Sequence, residues 1–460
     1  MHLVMNPAIR TIREVTRGTP YEGKLFLVGG VVRDKVMGRS MPEDVDIVLE
    51  GDALELARFL HEKDIAEHRP ITYPRFGTAM VSIHGHQVEL VSARKESYIP
   101  ESRKPEVEIA ELQDDILRRD FTINTLLENL HTGEVLDLTG KAIADIEAGV
   151  IRTPTDPATT FYDDPLRMLR AIRFAVRLGF EIEPETYAAI IRDVERLNII
   201  SKERVRDEFV KIVLSERPVR GLRMLDETGL LRQFAPELLE MQGVTQDGGH
   251  VHDVWEHTLQ AIESLPANAD LTLRLAVLFH DIGKPPTKTV NAEGHSHFYS
   301  HQDVGAETAR KVLRRLRFPQ SEITRVARLV ALHMRVGEYD PKWSDAAVKR
   351  LMRDAGWDTS DLLALARADR AGASPYASTE NLAELEQRID DILLKLPVAE
   401  LKSPLGGREI MELLGIPPGT KVKEVKHFLV EEILEGRLGL HDEETARRIV
   451  LRQFGGEGDK

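Results

Sequence analysis

The chain has 460 residues, of which 42% are apolar and 30% charged, and it contains no cysteine. At about 100–200 residues per domain, this length predicts two to four domains with their own cores and excludes intrinsic disorder. The lack of cysteine excludes disulfides, thiolate zinc sites and cysteine nucleophiles. No apolar run of about 20 residues is present and the N-terminus has no apolar signal core, so a soluble cytoplasmic protein is expected.

Lysine and arginine number 62 against 76 aspartates and glutamates, which gives a net charge of -14 at pH 7. This acidic balance argues against a nucleic-acid partner, because phosphate binding depends on lysine and arginine. Net charge hides local patches, however, so the distribution of the arginines along the chain decides the question.

The apolar pattern divides the chain into a mixed N-terminal part and a helical remainder. Residues 25–33 predict a buried strand, a Gly-Gly turn and the start of a helix, and residues 43–51 and 87–93 predict two further strands. From Asp156 onward, apolar residues recur at helical spacing. The sequence therefore predicts an α+β fold for residues 1–150. The three regions that follow, 151–240, 241–375 and 376–460, are predicted to be all-α.

The turn at Gly29 and Gly30 is the first candidate binding element. It follows an apolar strand and precedes a helix, so its backbone N–H groups can approach an anion closely at the helix N-terminus. Arg33, in the first turn of that helix, would reach the same phosphates. A lone Gly-Gly pair is more often an ordinary tight turn, so its meaning depends on the motifs that accompany it.

Asp44 and Asp46 lie on the next predicted strand, and their side chains share a face because strand residues two apart point the same way. Two carboxylates at this spacing suit Mg²⁺, which proteins hold with one or two carboxylates together with substrate phosphates. Glu89, on the following strand, would supply a third carboxylate or is a solvated edge residue. Alone, the D-x-D pattern occurs by chance in a chain of this length.

Two arginine-rich segments lift these signals above chance. Residues 117–124, LRRDFTIN, combine two arginines, an aspartate and an asparagine with the packing residues Phe121 and Ile123, which fits a solvated helix end poorly. Residues 163–180, DDPLRMLRAIRFAVRLGF, place arginines three or four apart on one helical face. Such a stripe is ordinarily solvated. Its members are Arg167, Arg170, Arg173 and Arg177.

These motifs resemble, in order and spacing, those of the bacterial and eukaryotic class of CCA-adding tRNA nucleotidyltransferases and their poly(A) polymerase relatives. The resemblance rests on GGVVRD, DVD, RRDFTIN, and DDPLRMLRAIRF followed by SKERVRDEFVKI, and it spans roughly residues 22–215. It implies a polymerase-β-like head with a small mixed sheet. Two positions depart from the family, Asp163 for the usual Glu and Thr125 for the usual Ala, and neither is assigned to catalysis.

The resemblance implies a role for each matching residue. Asp44 and Asp46 would be the catalytic, metal-binding carboxylates. Gly29, Gly30 and Arg33 would contact the triphosphate and ribose. The other nucleotide-binding residues would be Arg119, Asp120, Asp164, Arg167, Arg170 and Arg173.

Asp164 and Arg167 would form a protein template for the incoming base. An ionised aspartate only accepts hydrogen bonds and an arginine only donates them, which matches cytosine and adenine. Uracil and guanine would leave buried polar groups unpaired. The family switches between C and A with a flexible loop, and residues 93–115, with Pro, Ser and many charges, are predicted to be that loop. Its presence predicts an enzyme that adds the terminal A.

A second constellation, between residues 252 and 369, is rich in histidine. Imidazoles and carboxylates suit Mn, Ni, Co, Fe or Mg better than a zinc site built from cysteine. A lone histidine on an apolar helix is usually a core residue, but the spacing resembles the H…HD…D pattern of HD-domain phosphohydrolases and their two-metal versions. A substrate with a 2′,3′-cyclic or terminal phosphate is expected by analogy. The implied ligands are His257, His280, Asp281, Asp369, His301 and His333.

Residues 310–335 contain many arginines and one acid, Glu322, so they predict a phosphate track for tRNA or a solvated face. Lys349, Arg350 and Arg353 would extend it. A folded tRNA would be held there through the shape of its backbone.

Together, the motifs predict template-independent addition of the 3′-terminal CCA to tRNA from CTP and ATP, with pyrophosphate release, two Mg²⁺ ions and an additional HD phosphohydrolase activity. The expected partners are the tRNA 3′ end, CTP and ATP, with no membrane, and the oligomeric state stays open. The four regions would be a nucleotidyltransferase head, a base-recognition neck, an HD domain and a tRNA-binding tail. Alternatives are an A-adding enzyme or a poly(A) polymerase and, from another class, a protein-modifying uridylyltransferase with an HD domain, whose motifs differ from GGVVRD and RRDFTIN.

Overall fold

The computed structural model contains two compact units, residues 1–234 and residues 235–460. No helix in the described part of the chain is long and apolar enough to cross a membrane. The finer division into four regions stays a prediction. The residues that the structure describes are 6–39, 45–97, 106–246, 252–373, 380–395 and 402–455.

The first part of the N-terminal unit is mixed α and β structure, as the apolar pattern predicted. Its elements in chain order are α1 (Pro7–Val15), β1 (Leu25–Val28), α2 (Gly30–Val36), β2 (Val45–Leu49), α3 (Ala53–Glu62), β3 (Ile71–Tyr73), β4 (Thr78–Ile83), β5 (His86–Ser92), β6 (Arg94–Ser97), β7 (Glu106–Ile109), α4 (Leu112–Leu117), β8 (Leu127–Asn129), β9 (Val135–Leu136), α5 (Ala142–Ala148) and β10 (Val150–Ile151).

Seven of these strands form one sheet in the order β3-β4-β5-β2-β1-β8-β9. Strands β2 and β5 are parallel, whereas the other neighbours are antiparallel, so the sheet is mixed as expected. Helix α3 packs against β4 and β5. Val48 of β2 and Ile116 of α4 belong to one buried cluster, which places α4 on the sheet face that also carries Asp46.

Residues 93–115 were expected to form a flexible loop, and the structure corrects this at both ends. Strands β6 and β7 pair antiparallel, from Arg94 opposite Ile109 to Ser97 opposite Glu106, and α4 begins at Leu112. Charged and apolar residues alternate over 106–109, EVEI, which is a strand pattern. The prediction of a loop rested on proline and charged residues and did not take this alternation into account. The centre of the loop, 98–105, lies outside the described residues.

The rest of the N-terminal unit is helical, as predicted, apart from one two-residue strand. Helix α7 packs against α9 and ends at Gly179, whose φ of 76° suits the left-handed cap position. These elements are α6 (Pro157–Asp163), α7 (Leu166–Leu178), β11 (Glu181–Ile182), α8 (Pro184–Asp193), α9 (Lys202–Val213), α10 (Pro218–Glu227) and α11 (Leu230–Phe234).

In its described residues, the C-terminal unit is helical apart from one antiparallel hairpin, β12–β13, which the sequence analysis did not predict. Its elements are α12 (Val254–Glu263), α13 (Leu271–Phe279), α14 (Lys284–Thr287), β12 (Lys288–Val290), β13 (Ser296–Phe298), α15 (His301–Arg315), α16 (Gln320–Gly337), α17 (Asp345–Ala355), α18 (Thr359–Ala373), α19 (Glu380–Lys395), α20 (Gly407–Leu414), α21 (Thr420–Leu434) and α22 (Glu443–Phe454). Helices α12, α13, α16 and α18 pack on one another, and α15 packs on α16.

Candidate nucleotide-transfer and metal sites

The glycine turn lies beside a carboxylate and a guanidinium. Buried strand β1 leads into Gly29, whose φ of 77° and ψ of -132° are open essentially to glycine alone, and α2 begins directly after it. A Cβ on Gly29 would lie 3.7 Å from Nη1 of Arg119 and 4.0 Å from Oδ2 of Asp46. Three segments that are distant in sequence therefore meet at this turn. Asp44 lies outside the described residues.

Asp46 and Glu89 are register partners on the parallel strands β2 and β5. Their side chains share a face of the sheet, so the two carboxyl groups are neighbours. Burial, and after it the charge of Asp46, raises the pKa of Glu89. Glu89 is thus partly buried next to Asp46 and is not a solvated edge residue. Carboxylate oxygens in this arrangement fit a hard cation such as Mg²⁺.

Asp115 holds the two arginines of the RRDFTIN motif. It is fully buried in α4, with Oδ2 3.0 Å from Nη2 of Arg119 and Oδ1 paired with Arg118. Burial would raise the pKa of Asp115, but the two guanidinium groups outweigh it and keep that pKa below its ordinary value. The sequence analysis missed this residue, although its spacing of three and four from the arginines at a helix end was the available signal.

Asp120 was expected to grip the nucleotide, yet both of its oxygens have protein donors. Oδ2 accepts hydrogen bonds from Nη2 and Nε of Arg170 at 2.6 and 2.9 Å. Oδ1 accepts from the Phe121 N–H at 2.8 Å and from Nδ2 of Asn124 at 3.0 Å, while Oδ1 of Asn124 accepts from Arg33 at 2.6 Å. Burial opposes ionisation, but Arg170 and Asn124 outweigh it and lower the pKa of Asp120 to about 2.

The ring of Phe174, on α7, lies among three arginines and was not among the predicted site residues. The guanidinium carbons of Arg33, Arg170 and Arg173 are 5.4, 5.5 and 4.2 Å from its centroid. Cation–π contacts of this kind contribute about 0.5–2 kcal/mol each. Arg173 also forms a buried 2.6 Å ion pair with Glu208 of α9, a partner that the sequence analysis missed.

The predicted template residues also have protein partners in this structure. Arg167 donates from Nη2 to the Arg118 carbonyl at 2.6 Å and from Nη1 to the Thr160 carbonyl at 3.2 Å. Oδ2 of Asp164 is 2.8 Å from Nη2 of Arg204, which was not among the predicted residues. These contacts leave hydrogen-bonding capacity for a base, because a guanidinium has five N–H donors and a carboxylate about four acceptor sites.

A basic cavity of about 700 Å³ lies beside the α7 stripe. Its lining includes one acid, Glu216, against four cations. Such an excess of positive charge favours an anion such as a phosphate group. The four cations are Arg39, Arg173, Arg177 and Lys211.

In the C-terminal unit, the six predicted metal ligands form two groups of three. Within each group the ligand atoms lie within 4.8 Å of one another. Five of the six side chains are buried and Asp369 is half-buried. The groups are His257, His280 and Asp369, and Asp281, His301 and His333.

Asp281 lies between the two pairs of histidines. Its Oδ2 is 3.5 Å from Nε2 of His257 and 3.3 Å from Nε2 of His280. Its Oδ1 is 3.5 Å from Nε2 of His301 and 3.9 Å from Nε2 of His333. A carboxylate with one oxygen towards each pair is suited to bridge two cations.

Backbone carbonyls orient three of these histidines. Those for His280 and His333 belong to α13 and α16, whereas that for His301 belongs to β13. Nδ1 of His280, His301 and His333 lies 2.8, 2.8 and 2.6 Å from the carbonyl three residues earlier. A carbonyl only accepts, so Nδ1 carries the hydrogen and Nε2 is left to bind a metal. Burial would lower the pKa of His280, but Asp281 and Asp369 raise it to about 10, whereas burial and the charge of His280 lower the pKa of His333 to about 4.

The HDIG turn needs its glycine because the backbone of α15 is close. A Cβ on Gly283 would lie 2.0 Å from the His301 carbonyl and 2.6 Å from the Gly305 nitrogen. Lys284 follows it, with Nζ 2.6 Å from Oδ2 of Asp281 and 2.6 Å from Oε1 of Gln246. The sequence analysis did not single out this lysine, which adds a cation beside the metal ligands.

The arginines of residues 310–335 and their extension are largely paired with acids. These acids lie elsewhere in the sequence, so the density of arginine alone did not reveal them. The pairs are Arg315 with Glu237, Arg325 and Arg328 with Asp358, Arg335 with Asp354, and Arg350 and Arg353 with Glu431.

A glycine turn against a carboxylate at a small mixed sheet, with arginines from the following helices, is typical of enzymes that transfer nucleotides from nucleoside triphosphates. Three family models match the chain: "Poly A polymerase head domain" at 25–152, "Probable RNA and SrmB- binding site of polymerase A" at 179–241 and "HD domain" at 248–373.

Curated relatives are similar over most of the chain. The CC-adding tRNA nucleotidyltransferase of Thermus thermophilus is 34% identical over 447 residues, 94% of each chain. The A-adding tRNA nucleotidyltransferase of Deinococcus radiodurans is 36% identical over 353 residues, 74% of this chain and 79% of its own. The chain belongs to the family of CCA-adding tRNA nucleotidyltransferases and is a nucleotidyltransferase enzyme.

The fold agrees with that assignment. A crystal structure of the Bacillus stearothermophilus CCA-adding enzyme in complex with CTP superimposes with a TM-score of 0.70 at 23% identity, covering 98% of this chain and 99% of that one. The predicted fold class, a nucleotidyltransferase head with a small mixed sheet followed by helical domains, is confirmed.

Proposed function

We propose that the protein completes the 3′-terminal CCA of tRNA, using CTP and ATP and releasing pyrophosphate. The observation that carries the proposal is the meeting of the Gly29 turn with Asp46 and Arg119. The similarity to both a CC-adding and an A-adding enzyme supports the substrate. Neither relative by itself selects full CCA addition over partial addition.

In this reaction, the 3′-hydroxyl oxygen of tRNA bonds to the α-phosphorus as the bond to pyrophosphate breaks. Asp46, with Asp44 and with Glu89 as the third carboxylate, would hold two Mg²⁺ ions. Bound there, the ions would lower the pKa of the hydroxyl and offset the charge of pyrophosphate. The N–H groups after Gly29 and the guanidinium of Arg119 would orient the triphosphate.

The nucleotide-binding role of α7 rests on charge and partners. Asp120 orients Arg170 and Glu208 orients Arg173, so both guanidinium groups are fixed before a nucleotide arrives. Preorganised cations stabilise the charge that develops in phosphoryl transfer. Asp164 and Arg167 would read the base with the acceptors and donors that their protein contacts leave available.

The test is incubation with CTP and ATP of three tRNAs, which end before CCA, after C and after CC. Extension of all three to CCA is expected. Extension of only the first two by C identifies a CC-adding enzyme, and extension of only the third identifies an A-adding one. Long A tails on unrelated RNA would overturn the proposal in favour of a poly(A) polymerase. The variant D46N is the control and should extend none.

We also propose that the HD region, residues 241–375, is a two-metal phosphohydrolase. The support is the bridging position of Asp281 between two histidine pairs, together with the cation of Lys284. Divalent metal ions such as Mn, Ni, Co or Fe would supply Lewis-acid chemistry and activate water. A substrate with a 2′,3′-cyclic or terminal phosphate suits a site of this charge.

Two variants separate the activities. His280→Ala should lose metal-dependent hydrolysis of a 2′,3′-cyclic nucleotide while nucleotide addition continues, and D46N should show the reverse. Hydrolysis that persists in His280→Ala, or that needs no metal in the wild type, would contradict the second proposal.

A further inference from the structure

The hairpin β12–β13 forms one wall of a cavity beside the metal ligands. The cavity has a volume of about 390 Å³, and the ligands His301 and Asp369 are part of its lining. The side chains that line it from the hairpin and the residue after it include His297, Phe298 and Tyr299. The metal-ligand groups and an aromatic wall therefore share one cavity.

Tyr299 is not explained by packing within the protein, because its side chain is 72% exposed. Its ring stacks on that of His297, with centroids 5.5 Å apart and an interplanar angle of 12°. Two parallel rings at a cavity leave an aromatic face for a flat ligand. Stacking of a nucleobase on such a face contributes about 1–3 kcal/mol.

The backbone between the aromatic wall and the metal ligands is held in a specific conformation. Ser300 has a φ of 57°, a left-handed conformation that is uncommon for a residue other than glycine. It separates Tyr299 from His301, whose Nδ1 donates to the Phe298 carbonyl at 2.8 Å. The backbone between Tyr299 and the metal ligand is thereby held in place, and strain of this kind is typical of functional sites.

The cavity also has a cation. Nζ of Lys284 lies 2.6 Å from Oδ2 of Asp281 and 5.7 Å from the centroid of the Phe298 ring. A phosphate group of the ligand would bind at the lysine and the metal-ligand groups, whereas a flat ring of the ligand would stack on the aromatic wall. Gln246 and Ser296 add amide and hydroxyl groups that can pair with the edge of a base.

We infer that Tyr299 and His297 form a base-binding wall, so that the HD site takes nucleoside phosphates or phosphorylated RNA ends in preference to base-free phosphate esters. This inference rests on the proposed hydrolase function of the same site. In the reaction with a 2′,3′-cyclic phosphate, the oxygen of water bonds to phosphorus, one ring P–O bond breaks, and a proton of the water ends on the ribose oxygen that leaves.

The kinetic test compares two substrates with the same reacting bond, adenosine 2′,3′-cyclic phosphate and glycerol 1,2-cyclic phosphate. Tyr299→Ala should raise the KM for the nucleotide about 5–150-fold, with kcat and all kinetics on the glycerol ester within about twofold, because stacking contributes about 1–3 kcal/mol. Tyr299→Trp should keep the wild-type KM. Val290→Ala is the matched control, since Val290 is 60% exposed on the same hairpin.

A binding test does not depend on turnover. Adenosine 3′-phosphate should quench the tryptophan fluorescence of Tyr299→Trp, and the quenching should reach saturation as the ligand is added. The quenching should exceed that of the wild type, which has three tryptophans of its own. Glycerol 2-phosphate should not quench it. No quench, or an equal effect of Tyr299→Ala on both esters, would overturn the base-binding wall. If the wild type hydrolyses neither ester yet the quench saturates, the wall stands and the hydrolase proposal fails.

Discussion

Replacing Asp120 by Asn tests whether the arginines of α7 are held in place by their partners. The substitution keeps the shape of the side chain but removes the charge that Arg170 contacts twice. Asp120 is 8% exposed, so solvent screens this interaction little. We expect Arg170 to lose its fixed orientation and the KM for CTP and ATP to rise, since a cation that must be oriented at binding stabilises the phosphates less.

The magnitude follows from the pKa of Asp120, which is lowered from 3.8 to about 2. At 1.36 kcal/mol per unit, this difference contributes about 2 kcal/mol to the free energy of unfolding at neutral pH. Because the pKa is lower in the folded state, the contribution is complete above the unfolded-state pKa. It is lost as the pH falls from about 4 through 2.

The assay is thermal unfolding of wild type and Asp120→Asn at pH 7, 4 and 2.5. A loss of about 2 kcal/mol lowers the melting temperature of a unit of this size by about 4–8 °C at pH 7. The difference should shrink towards zero at the lowest pH. Asp207→Asn is the control, because the side chain of Asp207 is 54% exposed in its ion pair with Arg206. A difference that is constant across pH, or one that Asp207→Asn reproduces, would refute the reasoning.

Three further substitutions test the backbone and the buried charges. Gly29→Ala should lower the rate of nucleotide addition about 100-fold or more, because it displaces the reacting groups. Gly133→Ala is the control, since Gly133 also has a positive φ, 76°, and no atom lies within 4 Å of a Cβ there. This variant should strain the backbone without loss of activity. Asp115→Asn should destabilise the protein by about 3–5 kcal/mol in thermal unfolding and raise the nucleotide KM, because it leaves two arginines without their carboxylate. Gly283→Ala should abolish the retention of metal after dialysis, measured by elemental analysis. Gly294→Ala should retain the metal, because no atom lies within 4 Å of a Cβ at that position. Equal metal contents in the two variants would contradict the role given to the close backbone contact at Gly283.

Sequence alone located the candidate site because its chemistry is concentrated in short, locally patterned segments. A strand, two glycines and a helix start can be recognised within ten residues, and the four arginines of α7 are visible from their spacing. The residues that hold these groups could not be found in this way. Glu208 and Arg204 lie on α9, and only the packing of α9 against α7 brings them to Arg173 and Asp164.

The same distinction applies to the C-terminal unit. Its ligands follow a recognisable order in the sequence, but the order does not specify that the two oxygens of Asp281 divide between two histidine pairs. The hairpin carrying His297 was not predicted, because three-residue strands with exposed side chains have no apolar alternation to reveal them.

The ion pairs of residues 310–335 change how the net charge of -14 bears on tRNA. Asp358 is 1% exposed and pairs with both Arg325 and Arg328, so these guanidinium groups are partly neutralised before any phosphate approaches. Binding a phosphate there would exchange one anion for another, and it would release fewer counterions than an arginine without an acidic partner. The affinity for tRNA through this segment should therefore fall less steeply with salt than its arginine content suggests.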